Sequence, residues 1–173
     1  MPRPATATIH ADALRHNLAE VRRRAPSSQV MAVVKADGYG HGLERAGLAL
    51  AGADAFGVAM IEDARRLRAL GLSQPILLLA GFNDAMDLPE VRGLRLDVAI
   101  HHPSQLEILE QAGGQVPIRC WLKVDSGMHR LGFAPDQVRE AHARLSALPG
   151  VANDIVLMNH FASSDEFGGA QTR

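Results

Sequence analysis

The chain of 173 residues has a formal net charge of -1, with 47% hydrophobic and 21% charged residues, a composition typical of a globular domain with a sizeable core. The charge balance argues against a broad basic surface for nucleic acid, and the apolar runs fall far below the roughly 18 residues of a membrane-spanning helix. The N-terminus lacks the apolar core of a secretory signal, and the single cysteine, Cys120, cannot form an intrachain disulfide. We therefore expect a cytoplasmic protein that binds neither nucleic acid nor membrane.

Helical and strand patterns alternate along the chain. Apolar residues at Leu14, Leu18 and Val21 have helical spacing and predict a first helix at 12–25, which Asp12 could cap. Further helices are predicted at 43–51, 61–70, 104–112 and 136–148. Short apolar runs predict strands at 30–34, 55–59, 76–80, 97–100, 117–124 and 155–159.

This alternation, with strands that are apolar along nearly their whole length, predicts a parallel sheet covered by helices, an α/β fold. A closed barrel of eight βα units typically needs about 250 residues, so 173 residues supply about the first six strands of such a barrel. Residues 165–173 have the composition of a loop that leads into another helix. We therefore expect a truncated barrel.

Residues 33–42, VVKADGYGHG, place a lysine at the end of an apolar strand and open a glycine-rich turn. Apolar surroundings disfavour the ammonium form of Lys35, so its amine becomes available to condense with an aldehyde. The alternative for an isolated lysine at a strand end is plain solvent exposure. Gly38, Gly40 and Gly42 would let the backbone turn tightly beside a ligand, although glycines are also ordinary in such loops.

Residues 33–42 resemble the pyridoxal phosphate lysine motif of alanine racemases, including the tyrosine four residues after the lysine. Two later segments resemble the same family in the same order: 122–133, LKVDSGMHRLGF, and 159–162, NHFA. The resemblance covers nearly the whole chain. It implies that residues 1–173 are the N-terminal portion of a pyridoxal phosphate-binding TIM-type (β/α)8 barrel domain, without the remaining barrel strands and the C-terminal β domain.

The resemblance implies roles for three of the site residues. Lys35 would hold pyridoxal 5′-phosphate as an internal aldimine and move the substrate Cα proton on the face leading to and from D-alanine. Tyr39 would help hold the cofactor phosphate, the alternative being a core tyrosine with a satisfied hydroxyl. Arg130 would hydrogen-bond the cofactor's phenolic oxygen and assist substrate carboxylate binding, the alternative being a surface ion pair with Asp125 or Glu140.

Two further residues correspond to family positions near the cofactor. The ring of His160 would pack against the cofactor pyridine, the alternative being a satisfied core histidine. Lys123 corresponds to a lysine that is carbamylated in many family members, which turns a buried cation into an anion able to pair with Arg130. The alternative is an unmodified lysine paired with Asp125.

The remaining chemically interesting residues have simpler interpretations. His101 and His102 lack accompanying ligands at metal-site spacing, so we predict a strand-end loop and no metal site. Cys120 lies within a predicted strand and has no paired base, which indicates an inert core thiol. Leu79, at the end of the third predicted strand, could line the pocket or belong to the ordinary core.

By resemblance the protein is an alanine racemase, a homodimer with shared active sites that supplies D-alanine for peptidoglycan synthesis. The family takes its second catalytic base, a tyrosine, from the C-terminal domain of a partner subunit, and Tyr39 is the one tyrosine here. We therefore expect the 173 residues alone to be an incomplete, inactive fragment. The alternatives are a broad-specificity amino-acid racemase of the same fold, a non-catalytic pyridoxal phosphate-binding protein, or a partial barrel with only an interaction role.

Overall fold

Parallel strands alternate with helices throughout the computed structural model, which describes residues 6–114 and 116–168. The chain forms two compact units, Met1–Ile76 and Leu77–Arg173. The strands are β1 (Met31–Val33), β2 (Ala55–Val58), β3 (Ile76–Leu78), β4 (Leu96–Ile100), β5 (Cys120–Lys123) and β6 (Val156–Met158). The helices are α1 (Ala11–Arg24), α3 (Leu43–Ala49), α4 (Ile61–Ala69), α5 (Leu88–Gly93), α6 (Pro103–Ala112) and α7 (Val138–Ser146), and α2 (Lys35–Tyr39) is a short left-handed turn.

The order of strands in the sheet is the order in the chain, β1-β2-β3-β4-β5-β6. Parallel neighbours in chain order require a crossover after every strand, and the helices supply these crossovers. The predicted α/β fold with six parallel strands is confirmed. Every residue of β4 is buried, as expected for a parallel strand covered on both faces.

In the first unit, β1 and β2 pair in parallel with Met31 opposite Ala55. Phe56 of β2 is fully buried, together with Leu43 of α3 and Leu67 of α4. The two helices therefore cover the strand pair with apolar side chains, which fixes the backbone from which the next loop leaves β1.

In the second unit, β5 lies between β4 and β6, with Val98 opposite Cys120 and Trp121 opposite Val156. Leu106 of α6 and Leu145 of α7 are buried and supply the helical side of this core. The rigid strand β5 therefore gives a fixed base to the loop that follows it.

Two details differ from the sequence prediction. Asp12 does not cap α1, because the helix begins at Ala11 with His10 at the N-cap position, and Asp12 instead pairs with Arg15 inside the first turns. Helix α5 and the 3-10 turn Ala85–Asp87 before it were not predicted. Pro89 and Gly93 interrupt this short segment. Its apolar residues therefore repeat at helical spacing over fewer than two turns, which is too short to predict a helix.

Among the described residues, none of the helices combines the length and the apolar character that crossing a membrane requires.

Candidate active site

Lys35 lies two residues beyond β1 and opens the left-handed turn α2. Ala36, Asp37 and Gly38 have φ angles of 53°, 54° and 62°, in the region that residues with a Cβ rarely adopt. The N–H of Gly38 donates to the carbonyl of Val34 at 2.9 Å, so the turn closes around Lys35 itself. The predicted tight turn is confirmed, and its left-handed sense is a feature that the sequence pattern did not indicate.

Gly38 makes this turn compatible with the neighbouring helix. A Cβ added at Gly38 would lie 2.9 Å from the Cβ of Ala46 on α3, closer than two methyl groups can pack. At Gly40, whose φ is 82°, an added Cβ would meet nothing within 4 Å. One glycine therefore allows close packing, and the other leaves open space beside the turn.

The carboxylate of Asp37 ties the turn to α3. It accepts the N–H of Leu43, the first residue of α3, at 2.9 Å and a hydrogen bond from Nη2 of Arg66 at 3.3 Å. Arg66 also donates from Nε and Nη2 to the carboxylate of Glu44, at 2.8 and 2.9 Å. The hydrogen bond from Arg66 holds the pKa of Glu44 below its usual value.

The side chains of the turn differ in exposure. Lys35 is half-buried, whereas Tyr39 is 59% exposed, so the interpretation of Tyr39 as a core tyrosine is wrong. The ring of His41 donates from Nδ1 to the carbonyl of Gly38 at 2.9 Å, which fixes its tautomer. The Tyr39 side chain therefore remains accessible to a ligand.

In the second unit, Lys123 is the last residue of β5 and is only 7% exposed, as the predicted burial of this lysine requires. Burial lowers its pKa, and the positive charge of Arg130 lowers it further, while Asp125 acts in the opposite direction. Lys123 and Arg130 are thus brought together, and the amine of Lys123 is more readily neutral than an exposed lysine.

The loop that carries Arg130 is held at both ends. Asp125 accepts the N–H groups of Gly127 and His129 at 3.0 Å each, and these hydrogen bonds lower its pKa. The N–H of Phe133 donates to the carbonyl of Lys123 at 2.9 Å, which closes the base of the loop. The Arg130 side chain itself is exposed.

In the described part of the chain the side-chain partner of the Asp125 carboxylate is His129, whose Nδ1 lies 3.2 Å away. The surface pairing of Arg130 with Asp125, considered from the sequence, is therefore not what the structure shows. The guanidinium of Arg130 is available for a ligand.

His160 lies two residues beyond β6 and is exposed, so the alternative of a buried core histidine is wrong. The preceding residue, Asn159, donates from its amide to Oγ of Ser126 at 3.4 Å. This contact links the segment that carries His160 to the loop that carries Arg130.

His101 and His102 follow β4 and take part in local hydrogen bonds. The ring of His101 contacts the carbonyl of Ala80 at 2.9 Å, and Nδ1 of His102 accepts the N–H of Ser104 at the start of α6. No group of three or more potential metal ligands occurs among residues 6–114 and 116–168. The histidine pair therefore organises a strand-end loop.

Cys120 is fully buried, and burial raises the pKa of its thiol to about 12. The predicted place of Cys120 in the core is confirmed, and the inertness of its thiol stays a prediction. Leu79, one residue beyond β3, is half-buried, which fits either of its two interpretations.

Residues 9–173 match the family model described as alanine racemase, N-terminal domain. The chain belongs to the alanine racemase family. An alanine racemase from Shewanella baltica (strain OS185) is 54% identical over 160 residues, which are 92% of this chain and 45% of that protein. An alanine racemase from Vibrio cholerae is 49% identical over 168 residues, 97% of this chain and 46% of that protein.

Solved alanine racemase structures show the same fold. The biosynthetic alanine racemase from Pseudomonas aeruginosa superposes with a TM-score of 0.89 at 47% identity, covering 95% of this chain and 46% of that one. The alanine racemase from Acinetobacter baumannii gives a TM-score of 0.81 at 35% identity, covering 91% and 44%. This chain therefore has the fold of the N-terminal part of the alanine racemase TIM-type barrel domain and spans about 45% of the length of the curated relatives.

Because the chain belongs to the alanine racemase family, the number and the positions of its lysines are informative. The chain contains two lysines: Lys123 is the last residue of β5, and Lys35 lies two residues beyond the carboxyl end of β1. Catalytic groups of βα barrels gather at these ends. The sequence motifs found both lysines, but they missed Asp37 and Arg66, whose contact joins residues 29 positions apart.

Proposed function

We propose that residues 1–173 are the N-terminal portion of a barrel domain that binds pyridoxal 5′-phosphate through Lys35, in an alanine racemase that interconverts L-alanine and D-alanine. The observation that carries the proposal is the position of Lys35, half-buried at the end of β1 in a chain of the alanine racemase family. We further propose that the complete enzyme works as a homodimer in the bacterial cytoplasm and supplies D-alanine for peptidoglycan. The likeness to a biosynthetic alanine racemase from Pseudomonas aeruginosa supports that role.

The donor groups of the chain fit this cofactor. Lys35 offers an amine for the aldehyde, and Tyr39 and Arg130 offer an exposed phenol and an exposed guanidinium for anionic oxygens. The open space at Gly40, where an added Cβ would have no neighbour within 4 Å, leaves room beside the turn. When bound, pyridoxal phosphate supplies an electron-withdrawing ring that makes the substrate Cα proton labile.

In this proposal each residue has a defined role. The amine of Lys35 carries the cofactor and then accepts or returns the Cα proton on the face that leads to and from D-alanine. Tyr39 donates its hydroxyl to the cofactor phosphate. Arg130 donates to the cofactor's phenolic oxygen and to the substrate carboxylate, and the ring of His160 packs against the pyridine.

For Lys123 we propose carbamylation. Its burial and the nearby charge of Arg130 favour the neutral amine, which is the form that adds to CO2 and releases a proton. The resulting carbamate is an anion and would attract Arg130 where the ammonium repels it. Isotopically labelled bicarbonate should give a carbamate signal that Lys123→Ala removes; a signal that persists in that variant contradicts the assignment.

The proposal leaves part of the site to residues outside this chain. The second catalytic base, the partner of the pyridine nitrogen and the rest of the phosphate cup would come from the other half of the enzyme and its partner subunit. Leu157 of β6 supports further barrel segments, because it is 59% exposed while its register partner Leu122 is fully buried. We therefore expect the 173 residues alone to bind the cofactor and to racemise poorly.

The test begins with covalent trapping. The protein is incubated with pyridoxal phosphate, reduced with borohydride and digested, and the pyridoxyl group is located. We expect it on Lys35, saturable with cofactor concentration, and absent from Lys123, which serves as an internal control because these are the two lysines. Lys35→Arg should abolish the adduct, and a wild-type adduct that avoids Lys35 would refute the proposal.

The substrate assignment needs a separate measurement on the native gene product. Formation of D-alanine from L-alanine, with exchange of the Cα proton for solvent deuterium, is the expected result. Comparable rates with larger amino acids would favour the broad-specificity racemase instead. Cofactor binding at Lys35 without proton exchange would favour a non-catalytic pyridoxal phosphate-binding protein.

A further inference from the structure

The left-handed turn α2 contains residues that resist its conformation. Ala36 and Asp37 carry a Cβ at φ angles of 53° and 54°, and Tyr39 also has a φ of 54°. A residue with a Cβ is less stable in this left-handed form than in the right-handed one. Neighbouring contacts must therefore stabilise the turn. Asp37 provides such contacts with its carboxylate as well as with its backbone carbonyl.

Asp37 receives hydrogen bonds from three backbone N–H groups. Its carbonyl accepts those of Gly40 and Gly42, at 3.1 and 2.9 Å, and its carboxylate accepts that of Leu43 at 2.9 Å. The first two close the turn, and the third joins the turn to the first residue of α3. One residue thus connects the segment after Lys35 to the helix that packs beneath it.

We propose that Asp37 is a positioning residue for cofactor binding, whose carboxylate holds the left-handed turn so that Lys35 and Tyr39 face the same ligand. The inference rests on the proposed function, because it requires the cofactor on Lys35. Asp37 acts through the turn and through Leu43.

The structure separates the two contacts of the Asp37 carboxylate. Arg66 keeps two hydrogen bonds to Glu44 and an ion pair with Asp63 at 3.5 Å, so its place does not depend on Asp37. The side chains of Arg66 and Asp37 are 44% and 58% exposed, and exposed ion pairs contribute little. The hydrogen bond to the N–H of Leu43 therefore carries the positioning.

Three substitutions at Asp37 distinguish the explanations. Asp37→Asn keeps an acceptor and a residue that tolerates left-handed φ, but it removes the charge. Asp37→Gly removes the acceptor and relieves the φ strain, and Asp37→Ala removes the acceptor while keeping the strain. Asp63→Ala is the matched control, because it removes another carboxylate partner of Arg66 that has no bond to the turn.

The measurement is the pyridoxal phosphate concentration that half-saturates the borohydride-trapped adduct on Lys35, taken well below the thermal transition of each variant. We expect Asp37→Ala and Asp37→Gly to raise this concentration by roughly fivefold, the size of one lost hydrogen bond. Asp37→Asn and Asp63→Ala should stay within about twofold. A purely structural role would lower the melting temperature without moving the half-saturating concentration.

Three results would overturn the inference. Wild-type binding by Asp37→Gly would mean that only the backbone conformation matters, and a loss in Asp37→Asn equal to that in Asp37→Ala would transfer the effect to the charge. An equal loss in Asp63→Ala would assign it to the general charge around Arg66. If wild-type protein forms no adduct on Lys35, the proposed function fails; a wild-type adduct with unchanged Asp37 variants refutes the positioning role alone.

Discussion

Replacing Gly38 with alanine should destabilise the fold by about 3 kcal/mol. The φ of Gly38 is 62°, and an L-residue in this left-handed region costs about 1–2 kcal/mol. The new Cβ would also lie 2.9 Å from the Cβ of Ala46, which is only 3% exposed and cannot rotate away because it is fixed to the helix backbone. Such overpacking adds about 1–3 kcal/mol.

The assay is the free energy of unfolding in urea, followed by circular dichroism. Two glycines serve as matched controls: Gly40 and Gly71 have φ angles of 82° and 80°, and an added Cβ at either meets nothing within 4 Å. Gly40→Ala and Gly71→Ala should each lose only the conformational part, about 1–2 kcal/mol. The excess loss in Gly38→Ala measures the contact with Ala46.

A second substitution tests the contact directly. Ala46→Gly removes the opposing methyl group and by itself costs about 1 kcal/mol of helix propensity. Combined with Gly38→Ala it should recover about 1–2 kcal/mol relative to the sum of the single losses, as expected for residues in contact. Additive losses, or a Gly38→Ala loss no larger than that of Gly40→Ala, would refute the packing argument.

Three further predictions concern the second unit. The lowered pKa of Lys123 means that its contribution to stability is present above its unfolded pKa, about 10.4, and is lost as the pH falls through the lowered value. In CO2-free buffer, Lys123→Met should therefore raise the free energy of unfolding at pH 7 by about 1 kcal/mol and by less at pH 11; a pH-independent gain would contradict this. Cys120, buried and with its pKa raised to about 12, should resist alkylation by iodoacetamide in native protein and react fully in urea, so rapid native labelling would be inconsistent with the structure. His102→Ala should cost about 1 kcal/mol by removing the cap of α6, as measured by urea unfolding, whereas His102→Asn should retain most of the stability.

The elements that the sequence predicted are those with a local signal. The strand before Lys35 is an unbroken apolar run, and the helices after β2 and β4 repeat apolar residues at helical spacing. The loop of Arg130 was also recognisable, since its glycines and its closely spaced polar residues form one continuous motif. A local motif predicts where a side chain lies along the chain, and here that was sufficient to place Lys35, Arg130 and His160 beyond their strands and Lys123 at the end of β5.

The features that escaped the sequence depend on distant contacts. The left-handed turn α2 makes contacts that lie outside residues 33–42: Gly38 lies close to Ala46 of α3, and Arg66 contacts the Asp37 carboxylate across 29 positions. Nothing within residues 33–42 indicates that partner. Likewise, the contact of Asp125 with His129 required the folded loop, because Arg130 offered a charged neighbour in the sequence.

The two lysines show how the fold can assign two chemistries to one kind of amine. The lowered pKa of Lys123 gives it a more readily available free amine, and pKa alone would direct an aldehyde there. Lys123 is only 7% exposed, however, whereas Lys35 is half-buried. The low exposure of Lys123 therefore opposes the effect of its lowered pKa. CO2 is small enough to reach a buried amine, whereas a substituted pyridine ring is not. We expect an aldehyde adduct on Lys123 only after unfolding, and its formation in native protein at a rate comparable to Lys35 would refute control by access.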